Sequence, residues 1–319
     1  MKSYDDALNA LLQCANLPLN IEFVALNEAQ GRILASDLRA SQDFPEMPTA
    51  AMDGIALNSA DLKNGAKLLV KGVLPAGFMP NADIGENECV KTFTGALMSE
   101  GSDTLVPLEN LEFQSENGAE FAIIKECVKA GFAVRNVGES YQKGQVLLKA
   151  GTKLDFAGIC VLAEQGVGQI GVFKKPKVGI LATGTELIEP GKAKQNPAQS
   201  YNSNAYALCA LLKSWGCESL IYPSVKGDEG ALKACLERAC SECDFLITTG
   251  GVSVGEFDFM RDFVRKQGEI IIDKVAIKPG RHIKVAKLGQ KIVFALPGFS
   301  YSALVTAILF IKPFLAKIF

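Results

Sequence analysis

Histidine is almost absent from this chain: His282 is the single imidazole in 319 residues. That excludes any zinc site built on two or more imidazoles and leaves room for at most one Ser-His or Cys-His arrangement. An excess of one charge is missing too. Lys plus Arg number 33 against 35 for Asp plus Glu, a net charge of -2, so no basic field exists to hold nucleic acid non-specifically. The sequence shows no internal repeat, low-complexity tract or heptad seam. Residues 1–10 carry acids where a signal peptide would carry an apolar run. The nine cysteines are odd in number and scattered, as expected for a reducing cytoplasm. The longest apolar stretch, 302–319, is interrupted by Lys312, Pro313 and Lys317, so it is expected to pack as a helix on a sheet, with no membrane partner. Chemistry must then rest on carboxylates, lysines, hydroxyls and backbone.

What is present is an ordinary globular composition, 48% apolar and 21% charged, long enough for two or three domains. Ser3, with Asp6 at the capping-box position, predicts a first helix, and a second short helical stretch is expected near 26–33. From 44 to 133 the texture changes: Pro45, Pro48, Pro75 and Pro80 punctuate short β-like runs such as 67–70, 89–93 and 121–124. The run 145–154 is again strand-like, 155–164 reads as a capped helix ended by Gly166, and Lys174-Lys175-Pro176-Lys177 makes a boundary. The expected domains are therefore 1–43 with 134–173, a β-rich insert 44–133, and 174–319. Cys235, Cys240 and Cys243 have the C-x4-C-x2-C spacing of three iron-sulfur ligands. They also share a helical apolar stripe with Leu232, Leu236 and Ala239, and no cysteine follows to complete a cluster, so they are expected to be core thiols.

Beyond Lys177, apolar runs at 178–182, 219–222, 245–248 and 292–296 alternate with helical segments at 204–215, 228–242, 258–267 and 302–310. This predicts a mostly parallel, doubly wound α/β sheet, with ligands beyond the carboxyl ends of its strands. Small or polar loops follow those ends: Thr183-Gly184-Thr185-Glu186, the run from Thr249, Gly250 and Gly251 through Ser253 to Asp258, and Pro297-Gly298-Phe299-Ser300. A hairpin-like stretch before the last strand holds Lys278, Arg281, His282 and Lys284. Glycine loops and helix N-termini can cradle an anion, lysine and arginine add full charges, and Glu186, Asp228 and Asp258 together suit Mg²⁺. Each feature has a plain alternative. The glycines can be turns, Asp228 and Asp258 helix caps, Arg281 and Lys284 solvent-facing strand positions, and His282 structural.

Residues 246–258, with 276–281 and Leu296-Pro297-Gly298, closely resemble the molybdopterin molybdenumtransferases, the family of bacterial MoeA and the gephyrin E domain. The resemblance continues in Pro48-Thr49-Ala50-Ala51-Met52-Asp53-Gly54, in Thr92-Phe93-Thr94-Gly95-Ala96, in 101–109 and in Arg135 to Glu139. It implies an elongated helical N-terminal domain split by a β insert, followed by a molybdopterin-binding α/β domain. It also implies a homodimer whose site lies between the α/β domain of one subunit and the Asp53 and Thr94 loops of the other. The implied reaction is Mg²⁺-dependent insertion of molybdate into adenylylated molybdopterin with release of AMP.

On that resemblance Asp53, Thr94, Glu186, Asp228, Asp258 and Lys278 are the expected catalytic residues, the metal falling to Glu186, Asp228 and Asp258. Thr183, Gly184, Gly250, Gly251, Ser253, Lys278, Arg281, Lys284, Pro297, Gly298 and Ser300 are expected to bind the cofactor. Implied partners are a second copy, the molybdopterin adenylyltransferase that would supply the substrate, and the apo-molybdoenzymes that would receive the product. Three departures stand out. Pro297-Gly298-Phe299-Ser300 replaces the usual P-G-N-P, Ser140 stands where the family has an acid, and the chain stops at Phe319 where a further β domain usually follows. Arg281 also replaces a customary lysine. Two other functions fit the same residues: molybdopterin adenylyltransferase, and a non-catalytic molybdopterin-binding scaffold.

Overall fold

The short, proline-punctuated runs of the first half do form strands. The computed structural model describes residues 1–225, 229–250 and 268–319. In it β1 (Gly54–Leu57), β2 (Lys67–Leu74), β3 (Glu88–Thr92), β4 (Thr104–Pro107), β5 (Leu111–Glu116) and β6 (Ala119–Ile124) make one sheet in the order β4-β1-β3-β2-β6-β5. Only β2 and β3 run parallel; the other neighbours are antiparallel. All of β1 is buried because both its faces are covered: Ile55 and Leu57 pack with Leu68 and Val106, while Ala56 packs with Leu74, Val90 and Leu105. This sheet lies in one compact unit, Leu38–Leu148.

The second unit comprises Met1–Asp37 and Lys149–Phe319. Its first helix, α1 (Tyr4–Gln13), starts as expected, the Ser3 hydroxyl accepting the Asp6 N–H at 3.1 Å. α2 (Phe156–Glu164) is capped by Asp155 and followed by Gly166 at φ +69°. The helical stretch expected near 26–33 is a single 3₁₀ turn, Leu26–Glu28, before a left-handed Gly31. After α1 comes the strand Ile21–Ala25, which pairs antiparallel with Gln169–Phe173, the strand that follows α2. The helical character expected of these segments therefore rests on α1 and α2, and α1 packs into the core of the sheet described next: Ala7 and Leu11 are buried there.

That sheet contains β7 (Lys177–Thr183), β8 (Glu218–Val225), β9 (Phe245–Thr249), β10 (Glu269–Ile272), β11 (Lys284–Leu288) and β12 (Lys291–Leu296), in the order β8-β7-β9-β12-β11-β10. β8, β7, β9 and β12 are mutually parallel; β11 pairs antiparallel with β12 and β10 antiparallel with β11, so the sheet is mixed. The reason is connection length. Only Gly289 and Gln290 separate β11 from β12, enough for a hairpin and far too few for a crossover. That two-residue turn falls at 289–290, while 278–283 lies in the longer connection, 273–283, between the antiparallel neighbours β10 and β11, as the hairpin-like reading expects.

Helices cover both faces. α1, α3 (Ser203–Ser214) and α5 (Ser300–Thr306), which runs through a π turn into α6 (Lys312–Ile318), pack on one side against Val178, Ile180, Phe245, Ile247 and Phe294. α4 (Glu229–Glu242) packs on the other against Leu181, Leu246 and Val293. Phe245, Phe294 and Phe314 meet edge to face with centroids 5.3 to 5.9 Å apart. Ser300–Ile318 has the length and apolarity of a membrane span, yet Ala303, Ala307, Phe310 and Phe314 are wholly buried against this sheet. Cys243, just past the end of α4, is buried, and Cys235 and Cys240 on α4 pack against the same cluster. All nine cysteines are free thiols, and among the described residues no group of His, Cys, Asp or Glu could hold a metal ion.

Candidate functional site

The parallel register of β7, β9 and β12 brings their carboxyl ends to one edge, and the edge is tied together by polar contacts. The Thr183 hydroxyl donates to Thr249 O at 3.2 Å, and the Gly250 N–H donates to Leu296 O at 3.3 Å. Gly250 is left-handed, φ +83°, and a Cβ on it would lie 2.4 Å from Thr183 O. Only glycine lets these two strand ends approach so closely. A Cβ on Gly298 would sit 3.5 Å from Gly250 Cα, so the third loop rests on the second.

These loops wall a cleft of about 360 Å³ lined by Thr183, Glu186, Thr249, Gly250, Gly298, Phe299 and Ser300, and by residues 200–204. The latter were missed in the sequence. Ser200 N–H donates to Glu186 O at 2.9 Å and Asn202 N–H to Ile188 O at 2.9 Å, which lays the chain entering α3 beside the Glu186 loop. Asn202 caps α3 through Ala205 N–H and donates to Glu189 at 3.1 Å. Asn204 Nδ2 donates to Gly298 O at 2.8 Å, while its buried Oδ1 has no donor among the described residues. Ser203 and Ser300 bring their hydroxyls within 3.5 Å. The Asn-Ser-Asn run ahead of an apolar helical period was the available signal, an N-cap signature. The N-terminus of α3 adds partial positive charge and unpaired N–H groups to the cleft. On α3, Tyr206 donates to Glu189 at 3.0 Å, and that bond pushes the phenol pKa up.

Glu186 is exposed, and its carboxylate folds back over Gly184, where a Cβ would lie 2.7 Å from either oxygen. Among the described residues it receives no hydrogen bond. Asp228, Gly251, Ser253 and Asp258 lie outside the described residues. Pro297 is half-buried just ahead of Gly298. Lys278 and Arg281 are exposed on the turn that precedes β11. Because β11 starts where β12 ends, Lys284 opposite Ala295, that turn belongs to the same sheet edge, although neither residue lines the cleft. Lys284 does not serve the cleft. Its ammonium is buried and ion-paired with Asp273, whose backbone carbonyl it also meets at 3.3 Å, so it neither faces solvent nor offers charge to a ligand.

Asp53 and Thr94 form a second cluster, within the Leu38–Leu148 unit. Thr94 donates to Asp53 Oδ1 twice, from its N–H at 2.8 Å and its hydroxyl at 2.9 Å. The backbone bond first, then the hydroxyl, holds the Asp53 pKa below the usual carboxylate value. Thr49–Ala50 pairs with Val134–Arg135, Ala50 N–H donates to Ala96 O at 2.8 Å, and Gly54 pairs with both Thr92 and Pro107. Four segments distant in sequence thus converge. Ser140 meets Arg135 Nη2 at 2.6 Å, a hydroxyl acting where an acid was expected.

Residues 2–166 match the family model described as MoeA N-terminal region (domain I and II), and residues 179–317 match one described as a probable molybdopterin binding domain. The chain is 33% identical over 318 residues to a molybdopterin molybdenumtransferase of Haemophilus influenzae, covering 100% of this chain and 78% of that one. It is 36% identical over 306 residues to one of Nostoc sp., covering 93% and 69%. The crystal structure of a molybdopterin biosynthesis moeA protein from Pyrococcus horikoshii superposes with a TM-score of 0.85 at 29% identity, covering 100% of this chain and 79% of that one.

Proposed function

The chain belongs to the molybdopterin molybdenumtransferase family, enzymes of molybdenum cofactor biosynthesis, and from that premise we propose that it inserts molybdate into adenylylated molybdopterin, releasing AMP. The observation that carries the proposal is the cleft at the carboxyl ends of β7, β9 and β12, with exposed Glu186 set among hydroxyl and amide donors. We read 174–319, a doubly wound α/β domain, as the pterin-binding domain, 44–133 as the β insert, and 1–43 with 134–173 as the elongated helical domain that carries it.

In this reading the N-terminus of α3, Ser203, Ser300 and the Gly250 loop bind the pterin phosphate and the adenylate. Lys278 and Arg281, on the turn at the same edge, attract molybdate and the anhydride. Gly251 and Ser253 extend the phosphate cradle, and Pro297 and Gly298 shape its wall. Asp53, held as a carboxylate by Thr94, closes the cleft of a second copy, so the active species is a homodimer. Glu186 suits Mg²⁺ because that ion takes a few carboxylates along with water and phosphate oxygens; Asp228 and Asp258 would complete the set. When bound, Mg²⁺ supplies Lewis-acid neutralisation of the phosphoanhydride. Nine free thiols support a cytoplasmic setting.

The test is anaerobic incubation with adenylylated molybdopterin, Mg²⁺ and molybdate, following AMP and pterin-bound molybdenum together. Stoichiometric AMP and insertion, lost in Asp258→Asn, are expected. In a parallel incubation with molybdopterin and ATP, consumption of ATP would identify an adenylyltransferase instead, and tight pterin binding without AMP in the first incubation a scaffold.

A further inference from the structure

The basic run Lys174-Lys175-Pro176-Lys177 takes no part in the cleft: it leads into the amino end of β7, at the opposite edge of the sheet. There Lys174, Lys175 and Lys177 share the lining of a pocket of about 170 Å³ with Asn20 and Asp244. Backbone contacts fix its walls. Lys174 N–H donates to Asn20 O at 2.7 Å; Lys177 N–H donates to Asp244 Oδ2 at 2.7 Å, and Asp244 N–H returns to Lys177 O at 2.7 Å. Pro176 is buried and Lys175 half-buried, which holds the run against the protein, while Lys174 and Lys177 are exposed.

The charges here are not paired off. Many surface lysines stand apart from any carboxylate, but here three of them line one pocket. Lys174, Lys175 and Lys177 have no carboxylate partner among the described residues, and the one acid in the pocket, Asp244, already accepts a backbone N–H. Three lysines against one carboxylate line the pocket, and even with Glu218, the register partner of Lys177 on β8, positive charge remains in excess. Like charges gathered in one pocket repel, and a bound anion relieves that repulsion. Lysine engages oxyanions as a point charge, without the planar fork that arginine brings to carboxylates. The pocket is also smaller than the several hundred Å³ that cofactor-sized ligands occupy.

We propose that this pocket is a second oxyanion site, remote from the cleft, that takes a dianionic tetrahedral oxyanion. Inorganic phosphate and molybdate share that chemistry, and the experiment separates them. The full chain is labelled with an amine-reactive ester, and the rate at each lysine is read by peptide mass spectrometry. Millimolar phosphate, millimolar molybdate and chloride of equal ionic strength are compared. We expect phosphate, molybdate or both to slow labelling of Lys175 on the order of fivefold, with chloride leaving it unchanged. Protection by one anion alone names the source. The same protection should persist in Lys278→Gln/Arg281→Gln, which alters only the cleft edge.

Calorimetry of Lys174→Gln/Lys175→Gln/Lys177→Gln should lose the corresponding binding heat, and Lys175→Gln alone should weaken it if the triple variant does not fold. Lys175→Arg should restore it. Labelling that is equal with and without both oxyanions would overturn the proposal. So would protection matched by chloride, or protection that vanishes with the Lys278 and Arg281 exchanges.

Discussion

Asp53 and Glu186 are both exposed carboxylates set in loop clusters, and the molecule holds them in opposite ways. Asp53 accepts two hydrogen bonds from Thr94, which fix its position and favour its charged form. Glu186 is anchored through its backbone, which accepts Ser200 N–H, while its carboxylate receives no donor among the described residues. A carboxylate with built-in donors is a preset anchor; one without them is an acceptor open to a cation or a ligand donor from solution. In the proposed reading this difference gives the Leu38–Leu148 cluster a positioning role and the cleft the chemistry.

Glycine exchange should separate the two regions most sharply. Gly250 and Gly95 are both left-handed, at φ +83° and +82°, but a Cβ on Gly250 meets the Thr183 carbonyl at 2.4 Å, whereas one on Gly95 has nothing nearer than Ala76 Cβ at 4.0 Å. Gly95→Ala should therefore cost only the left-handed strain, about 1–2 kcal/mol. Gly250→Ala must also move backbone and should cost about 3 kcal/mol or more. Equal shifts in urea midpoint would show that the cleft is not built on that close approach.

Next in size is Glu186→Gln. The side chain is exposed and makes no described contact that the amide would break, so the unfolding midpoint should stay within about 0.5 kcal/mol of wild type. AMP release should nevertheless fall roughly a hundredfold, the scale of losing one charged group at a developing phosphate charge. Full activity in this variant would remove Glu186 from the proposed chemistry and leave the cleft as a binding surface only.

Much of this contrast was legible beforehand and part was not. The strands β7, β9 and β12 announce themselves as continuous apolar runs because both their faces are buried, and the loops after them follow directly. Asp53 and Thr94 lie 41 positions apart, so their contact depends on the β1 and β3 register, which a sequence does not display. Lys284 failed for the same reason: its partner Asp273 sits 11 positions earlier, close to the Ile272 that pairs with Val285 across the β10–β11 ladder. Residues 200–204 stayed hidden because the path from Glu186 to α3 is a polar stretch whose pairing, Leu187–Ile188 with Ser200–Tyr201, involves only two residues a side. Asp228 and Asp258 were singled out in the sequence and lie outside the described residues.

A smaller effect probes the anchor itself. Thr94→Val removes the hydroxyl donor to Asp53 and keeps the N–H, which is the larger cause of the lowered pKa. The Asp53 titration, followed by carboxyl ¹³C shifts, should therefore move upward yet remain below the ordinary value. The sign for stability follows. A carboxylate whose pKa is depressed by folding contributes stability above its unfolded value, near pH 4, and loses it as pH falls through the folded value. Any difference in stability between wild type and Thr94→Val that arises at Asp53 should then shrink on acidification. A titration that does not move would mean that the hydroxyl is incidental.

The smallest effect tests whether the positioning cluster is complete as it stands. Ser140 bonds Arg135 at 2.6 Å, Arg135 also lies 3.6 Å from Glu139, and its guanidinium sits 5.6 Å from the Phe44 ring centroid. Ser140→Asp would add a carboxylate to an arginine that already has three neighbours on an exposed surface, which is worth about 0.2–1 kcal/mol. For a chain of this size that is a rise of about 2 °C or less in the thermal midpoint. If Arg135 only braces the Asp53 loop, AMP release should be unchanged. A several-fold gain in turnover with the same small gain in stability would mean that charge at position 140 reaches the reaction, and the division between an anchoring cluster and a chemical cleft would then fail on the anchoring side.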